Sequence, residues 1–305
     1  MTKVFIDGSA GTTGLRIHER LAGRTDIQIL ELSEELRKDV GARREMLNEA
    51  DIAFLCLPDK AAVEAVSLIE NDRTAVIDTS TAHRVNDAWA YGFAELSGAH
   101  REAIRTSKRI ANPGCHASGF ISAVYPLVAH GLLSADFPLT VYSLTGYSGG
   151  GKSLIAEYED PGRDPRHDSH RIYGTTLAHK HLPEMQKICK LTRKPLFSPI
   201  LGDFYAGMAT SVLLPGFDAT AVWECLRDHY AGEKLVSVAP LGGDESVIYA
   251  DTYAGLDSLR LQVCGHEGQT MVTAVFDNLG KGASGAAIQN MNILLGAGET
   301  TGLNV

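Results

Sequence analysis

The sequence predicts an α/β unit of Rossmann-like parallel strands joined to an α+β unit built on a mainly antiparallel sheet. Three observations predict it. Short apolar runs alternate with helix-spaced runs over the first part of the chain; a glycine-rich loop, GSAGTTG, follows the first run; and beyond NPGC, residues 112–115, the runs lengthen and few helices separate them. Strands and helices taking turns imply a parallel sheet with right-handed crossovers, whereas strand following strand implies antiparallel pairing.

In order, KVFID at 3–7 is a short apolar run that stops at the glycines, and LRIHERLAG carries Leu15, Ile17 and Leu21 at helical spacing. IQILEL reads as a second strand, the charged stretch to Ala50 as a helix, IAFLCLP as a strand, AAVEAVSLIE as a helix and TAVIDTS as a strand. TVYSLTGYS, ATSVLLP, KLVSVAP, SLRLQVCG and QTMVTAVFDN read as the strands of the second unit. The last stretch, GKGASGAAIQNMNILLGAG, has small and apolar residues at helical spacing, and its amphipathic face is expected to pack back on the first unit. The expected division is 1–113 with 283–305 for the first unit and 114–282 for the second. It rests on the change of pattern, because no linker, repeat or low-complexity tract marks it.

A chain of 305 residues with 44% apolar composition has material for a sizeable core. No stretch approaches the roughly 20 apolar residues of a membrane span, and MTKVFIDG lacks the basic-then-apolar order of a signal peptide, so a cytoplasmic protein without membrane partners is expected. Five cysteines, at 56, 115, 189, 225 and 264, show neither CxxC spacing nor an even count. This argues against a disulfide framework or a structural zinc site and for reduced thiols. A net charge of −9 disfavours nucleic acid as a partner, so an anionic ligand needs a local cluster of Arg, Lys and His.

In GSAGTTG the glycines fall between strand and helix, where missing side chains let the backbone turn tightly and approach a pyrophosphate at the positive helix N-terminus. Gly8, Ala10, Gly11, Thr12, Thr13 and Gly14 therefore form the candidate dinucleotide cradle. Glu31, at the end of the second strand, suits a ribose 2′-hydroxyl, whereas Ser33, Arg37 and Lys38 suit a 2′-phosphate. The plainer reading of Arg37 and Lys38 is a solvated helix face. Pro58 and Ser118 complete the candidate cofactor contacts.

Cys115 stands where Asn112, Pro113 and Gly114 turn the chain into an apolar run that reads as a helix. Unpaired N–H groups and the helix dipole favour a thiolate there, which makes Cys115 a candidate nucleophile. Cys56, Cys189, Cys225 and Cys264 lie in apolar or alternating segments and read as small buried hydrophobes. RHDSHRIYGTTLAHKHLPE, residues 166–184, offers proton-transfer groups and cations together: His167, His170, His179 and His181 with Arg166, Arg171, Lys180, Tyr173 and Glu184. The same composition also fits a solvated loop, and its HKH spacing matches no zinc pattern, so no metal is expected.

NPGCHAS, GSAGTTGL, AHKHLPEM and FDNLGKGASGAAIQN together resemble the N-acetyl-γ-glutamyl-phosphate reductases in their shorter form, across nearly the whole chain and in the right order. That family is similar in architecture to aspartate-semialdehyde dehydrogenase and, more distantly, to glyceraldehyde-3-phosphate dehydrogenase. The resemblance implies a dinucleotide-binding unit, a catalytic and subunit-contact unit inserted before the last helix, NADP(H), and a homodimer or homotetramer. It also implies NADPH-dependent reductive dephosphorylation of a small-molecule acyl phosphate, N-acetyl-glutamyl 5-phosphate, to N-acetyl-glutamate 5-semialdehyde in arginine biosynthesis, through a cysteine thioester. Cys115 matches the nucleophile, and His179 and His181 match the acid/base and substrate region, with His181 preferred for proton transfer. Arg84 in STAHRV matches an arginine expected at the substrate carboxylate; Tyr173 and Glu184 fall at substrate-side positions, and Asn278 falls where the family approaches the nicotinamide. The sequence departs from the pattern at His116, where longer members usually carry tyrosine, and in its shorter second unit. Three other readings stay open: the same chemistry on an aspartyl or aminoadipyl phosphate, a dinucleotide-binding regulator without turnover, and a cysteine hydrolase.

Overall fold

Strand periodicity sorts the first unit into two cores. In β1 (Thr2–Asp7), β3 (Ile52–Leu55) and β4 (Ala75–Asp78), Val4, Ile6, Phe54 and Ile77 face one side of the sheet, and Phe5, Ala53, Leu55 and Val76 face the other. The computed structural model describes residues 1–242 and 247–305 in two compact units, Met1–Gly114 with Ala283–Leu303 and Cys115–Gly282 with Asn304–Val305. In the first unit β2 (Ile27–Leu30), β5 (Ala90–Tyr91) and β6 (Arg109–Ala111) complete a six-stranded sheet of order β2-β1-β3-β4-β6-β5, with every pair parallel. Neither β5 nor β6 is apparent in the sequence pattern, because each is too short to show a period.

Helices α1 (Thr12–Leu21) and α4 (Gly98–Thr106) supply Ile17, Leu21 and Ile104 to the first core, while α2 (Val40–Glu49) and α3 (Asp59–Ser67) supply Leu47, Ala62 and Ala65 to the second. Both faces are covered, as a parallel sheet requires. The charged stretch before Ala50 is only partly helical: α2 starts at Val40, where the Asp39 carboxylate caps it by accepting from the Ala42 N–H at 2.7 Å. Arg37 and Lys38 therefore lie in an exposed turn rather than on a helix face.

The chain's last helix, α9 (Gly285–Leu295), belongs to the first unit and adds Ala287, Ile288 and Met291 to its core. It is buried all round instead of presenting one amphipathic face. Its polar residues are paired inside: Gln289 donates to Glu95 at 2.9 Å, Asn290 donates to the Gly92 carbonyl at 3.0 Å, and Asn292 accepts from Arg24 at 2.8 Å.

The second unit carries a seven-stranded sheet of order β11-β12-β13-β10-β7-β9-β8. Its strands are β7 (Thr140–Gly146), β8 (Arg171–Ile172), β9 (Leu196–Gly202), β10 (Met208–Pro215), β11 (Val236–Val238), β12 (Leu259–His266) and β13 (Gln269–Phe276). The sheet is mixed: β7 pairs β9 and β11 pairs β12 in parallel, and the other pairs are antiparallel. The β7 to β9 connection runs through α6 (Gly151–Glu159) and α7 (Leu182–Ile188), the long crossover that a parallel pair needs.

One face of this sheet is covered by α5 (Cys115–Ala129) and α8 (Ala219–His229). Gly119 brings α5 close to β10, since a Cβ there would stand 2.4 Å from Thr210 Oγ1. Pro126 lies inside α5 and cannot donate to the Ser122 carbonyl one turn back. The Tyr230 hydroxyl donates to that carbonyl instead, at 2.8 Å. The opposite face presents Tyr142, Leu196 and Leu213 to the surface. Among the described residues, no helix is long and apolar enough to cross a membrane.

Candidate active site

The glycine loop is built as a tight turn. Gly8 has φ +90°, and a Cβ there would meet the Cys56 carbonyl oxygen at 2.3 Å; a Cβ at Gly14 would meet the Gly8 carbonyl oxygen at 2.5 Å. Gly11 differs, because its Cβ direction meets nothing closer than 3.5 Å. Gly8 and Gly14 are thus demanded by the loop's own packing, and Gly11 leaves room for a ligand. No side chain caps α1, so the N–H groups of Thr12, Thr13 and Gly14 lack the oxygen that usually occupies a helix start. Such an N-terminus, with a side-chain-free approach beside it, fits a pyrophosphate.

The residues read as adenosine-side contacts lie around the end of β2. Ser33, Arg37 and Lys38 are exposed in the turn that follows it. Glu31 shares a 2.9 Å hydrogen bond with His18 Nε2, so its carboxylate already has one partner on α1. Pro58 precedes α3 at the end of β3, and Ala10 is exposed in the loop itself.

The turn that leads to Cys115 is fixed from several directions. Asn112 is fully buried; its N–H donates to the Asp78 carbonyl at 2.8 Å, its side-chain N–H to the Ala283 carbonyl at 3.0 Å, and its side-chain oxygen accepts from Asn290 at 3.0 Å. Its carbonyl accepts from Arg84 Nε at 2.9 Å, and Arg84 Nη2 donates to the Thr79 carbonyl at 2.8 Å. Arg84 is 8% exposed and commits two nitrogens to the backbone. The structure therefore gives this arginine a share in holding the NPG turn, which the sequence does not reveal.

Cys115 is the first residue of α5 and is partly exposed. It sits in the turn whose N–H groups have no acceptor within the helix, and Ser118, buried, closes that turn. A Cβ on Gly282 would stand 3.0 Å from Cys115 Cβ, so only glycine lets that segment lie against the thiol. Burial pushes the Cys56 thiol up to about 12, and it raises the Cys189 and Cys225 thiols above their ordinary range. These three are poor thiolates.

Beside Cys115 the second unit gathers a cluster of rings. His116 Nε2 and the Tyr173 hydroxyl are 2.7 Å apart, and the His116 ring centroid lies 5.4 Å from that of His179 and 5.7 Å from that of His181. The His179 and His181 rings meet edge to face at 4.7 Å. The His181 N–H donates to His179 Nδ1 at 3.2 Å, so a neutral His179 carries its proton on Nε2. His181 is 5% exposed at the N-cap of α7, and Glu184 is buried in the first turn of that helix.

Burial, with His179 and Lys180 nearby, drives the His116 pKa down to about 3, so this ring is neutral at physiological pH. Burial first, and a Cys115 charge second, push the Tyr173 phenol above its usual range. His167 and His170 stand apart from this cluster: His167 stacks on Tyr158 at 4.7 Å and binds Glu157 at 2.9 Å, and His170 is exposed. Asn278 is 1% exposed, and its amide accepts from the Gly207 N–H at 2.9 Å and donates to Ser148 at 3.0 Å. Each end of that amide thus has one partner within the second unit.

Residues 3–107 match the family model of the semialdehyde dehydrogenase NAD binding domain, and residues 115–278 match that of the semialdehyde dehydrogenase dimerisation domain. Similar solved structures include aspartate semialdehyde dehydrogenase II complexed with ASA from Vibrio cholerae, with TM-score 0.71 and 17% identity over 97% of this chain and 98% of that one. Another is aspartate semialdehyde dehydrogenase with NADP from Candida albicans, with TM-score 0.65 and 15% identity over 97% of this chain and 98% of that one. These structures share the fold. Proteins named N-acetyl-gamma-glutamyl-phosphate reductase are far closer in sequence: that of Chelativorans sp. (strain BNC1) is 49% identical over 96% of this chain and 98% of its own, and that of Rhizobium meliloti (strain 1021) is 47% identical over 97% and 99%. With both domains matched and near-half identity along the chain, this protein belongs to the N-acetyl-gamma-glutamyl-phosphate reductase family.

Proposed function

We propose that the protein reduces N-acetyl-glutamyl 5-phosphate to N-acetyl-glutamate 5-semialdehyde with NADPH, releasing phosphate. The observation that carries this reading is a partly exposed cysteine in the first turn of α5 beside Tyr173 and three histidine rings, in a chain that also has a glycine cradle at a helix start. When bound, the nicotinamide dinucleotide supplies hydride to an acyl carbon. Gly8, Ala10, Gly11, Thr12, Thr13 and Gly14 would hold its pyrophosphate, with Pro58 at the neighbouring strand end and Ser118 in the Cys115 turn as further contacts. Ser33 and Arg37 would take the 2′-phosphate.

The chain's own residues supply the rest. Cys115 sulfur bonds to the acyl carbon and the carbon–oxygen bond to phosphate breaks, so the acyl group is held as a thioester. After reduction the carbon–sulfur bond breaks, aldehyde leaves and the thiolate returns. His181 holds or moves the proton at the acyl oxygen, a role commonly worth about 10² to 10⁴ in rate. The N–H groups of the first turn of α5 stabilise negative charge on that oxygen. His179 and Glu184 order the ring cluster, and Arg84 steadies the NPG turn while its guanidinium favours the substrate carboxylate.

The subunit contact is assigned to the open face of the seven-stranded sheet, where Tyr142, Leu196 and Leu213 are exposed within the segment matched by the dimerisation model. A second copy of the chain covers it.

The test is phosphate-dependent reduction of NADP⁺ by N-acetylglutamate semialdehyde, run beside NAD⁺ and with aspartate semialdehyde as a competing substrate. Turnover that requires phosphate and is lost in Cys115→Ser, with dinucleotide binding retained, is the expected result. Normal turnover in Cys115→Ser would sink the covalent route, and faster turnover of aspartate semialdehyde would sink the substrate assignment.

A further inference from the structure

The His116 ring does more than fill space behind the nucleophile. Its Nδ1 lies 2.8 Å from Ser143 Oγ, Ser143 Oγ lies 2.7 Å from Thr210 Oγ1, and its Nε2 lies 2.7 Å from the Tyr173 hydroxyl. A continuous hydrogen-bond chain thus runs Thr210, Ser143, His116, Tyr173. Thr210 and Ser143 are fully closed off, and His116 is 3% exposed.

Two polarities are open to a chain around a neutral imidazole, and the far end decides between them. If Tyr173 donates to His116 Nε2, then Nδ1–H donates to Ser143 and Ser143 donates to Thr210. The Thr210 hydrogen is then left in a dry interior, because the Ser143 hydroxyl is the one hydrogen-bond partner of the Thr210 side chain among the described residues. In the opposite polarity Thr210 donates to Ser143, Ser143 donates to Nδ1, and Nε2–H donates to the Tyr173 oxygen. Every hydrogen then has an acceptor, and the Tyr173 hydrogen is turned outward. Leaving a buried donor unmade is costly, whereas an unused lone pair on Thr210 is cheap.

We propose that His116, in its Nε2–H tautomer, is a positioning residue that forces the Tyr173 hydroxyl to donate to the negative charge at Cys115 and at the acyl oxygen bonded through it. The assignment rests on Cys115 being the nucleophile. The chain orients and does not conduct: it ends at a threonine with no proton source, so Tyr173 keeps its hydrogen through the cycle. Two properties agree with a fixed neutral donor, since burial keeps His116 uncharged and keeps the Tyr173 phenol protonated.

The full-length protein tests this in two ways. With ¹⁵N-labelled histidine, two-bond ¹H–¹⁵N correlations identify the tautomer, and His116→Gln identifies the signals. A proton on Nε2, without titration between about pH 5 and 9, is expected. A proton on Nδ1 overturns the polarity. The second measurement is the pH profile of Cys115 alkylation by iodoacetamide, with Cys115→Ser giving the background of the other thiols. Tyr173→Phe is expected to move the inflection up by about 0.5–1 pH unit, a 3- to 10-fold slower reaction below it, because a donor to the thiolate is gone. Ser143→Ala, which leaves every group near the sulfur in place, moves it the same way by less. An unmoved inflection in Tyr173→Phe overturns the proposal. Neither readout depends on the reductase assay, so loss of the activity reading and loss of this donor are told apart.

Discussion

At the scale of single residues, the nucleophile and the cradle are local features. Cys115 follows Asn-Pro-Gly at a helix start and the glycines follow a strand, so both are legible in a few consecutive letters. The chain from Thr210 to Tyr173 is not, because it joins a helix, two strands and a loop whose contacts only the fold creates. The same holds for Arg84, whose two backbone partners are 5 and 28 residues away. His116 has a further effect on stability. Its pKa is 6.5 when unfolded and about 3 when folded, so as pH falls below 6.5 the unfolded chain takes up the proton first. Its contribution is therefore neutral above pH 6.5 and increasingly destabilising down to about pH 3. His116→Gln has no titrating ring there. Urea midpoints taken at pH 7 and pH 4 should differ less in the variant than in the wild type, and an equal difference would assign the acid sensitivity to other groups.

At the scale of elements, long periodic segments were readable and short or punctuated ones were not. β9 contains Pro199, which the sequence presents as a break, yet it is a seven-residue strand between β7 and β8. β5 and β8 have two residues each and leave no period to detect. The α5 helix shows how a proline is accommodated in a buried helix: the carbonyl it orphans at Ser122 is paired by Tyr230 from beyond the end of α8. Tyr230→Phe keeps the ring and removes the donor, so it should cost about 1–3 kcal/mol. The check is the urea midpoint of the variant at unchanged m-value. No loss would mean that water or a shift of the helix pairs the carbonyl equally well.

At the scale of the whole molecule, the proposed subunit contact rests on the open sheet face. Tyr142, Leu196 and Leu213 share one face of β7, β9 and β10, because strand register places Leu213 and Leu196 on either side of Thr140, two residues from Tyr142. Leu213→Glu puts a charge into the proposed contact, which is strongly unfavourable when desolvated. Sedimentation velocity should show a dimer in the wild type and a monomer in the variant at equal protein concentration. A variant that stays dimeric would place the contact elsewhere.

The return of α9 to the first unit bears on how the protein is made. The parallel sheet emerges from the ribosome early, but the helix that seals Val4, Phe54 and Ile77 comes only after all of Cys115–Gly282 has been translated. At about 5–20 residues per second that is an interval on the order of ten to thirty seconds. Throughout it, a greasy slot in the nascent chain stays open to chaperones and to neighbouring polysomes, and the second unit is free to collapse before the first is sealed.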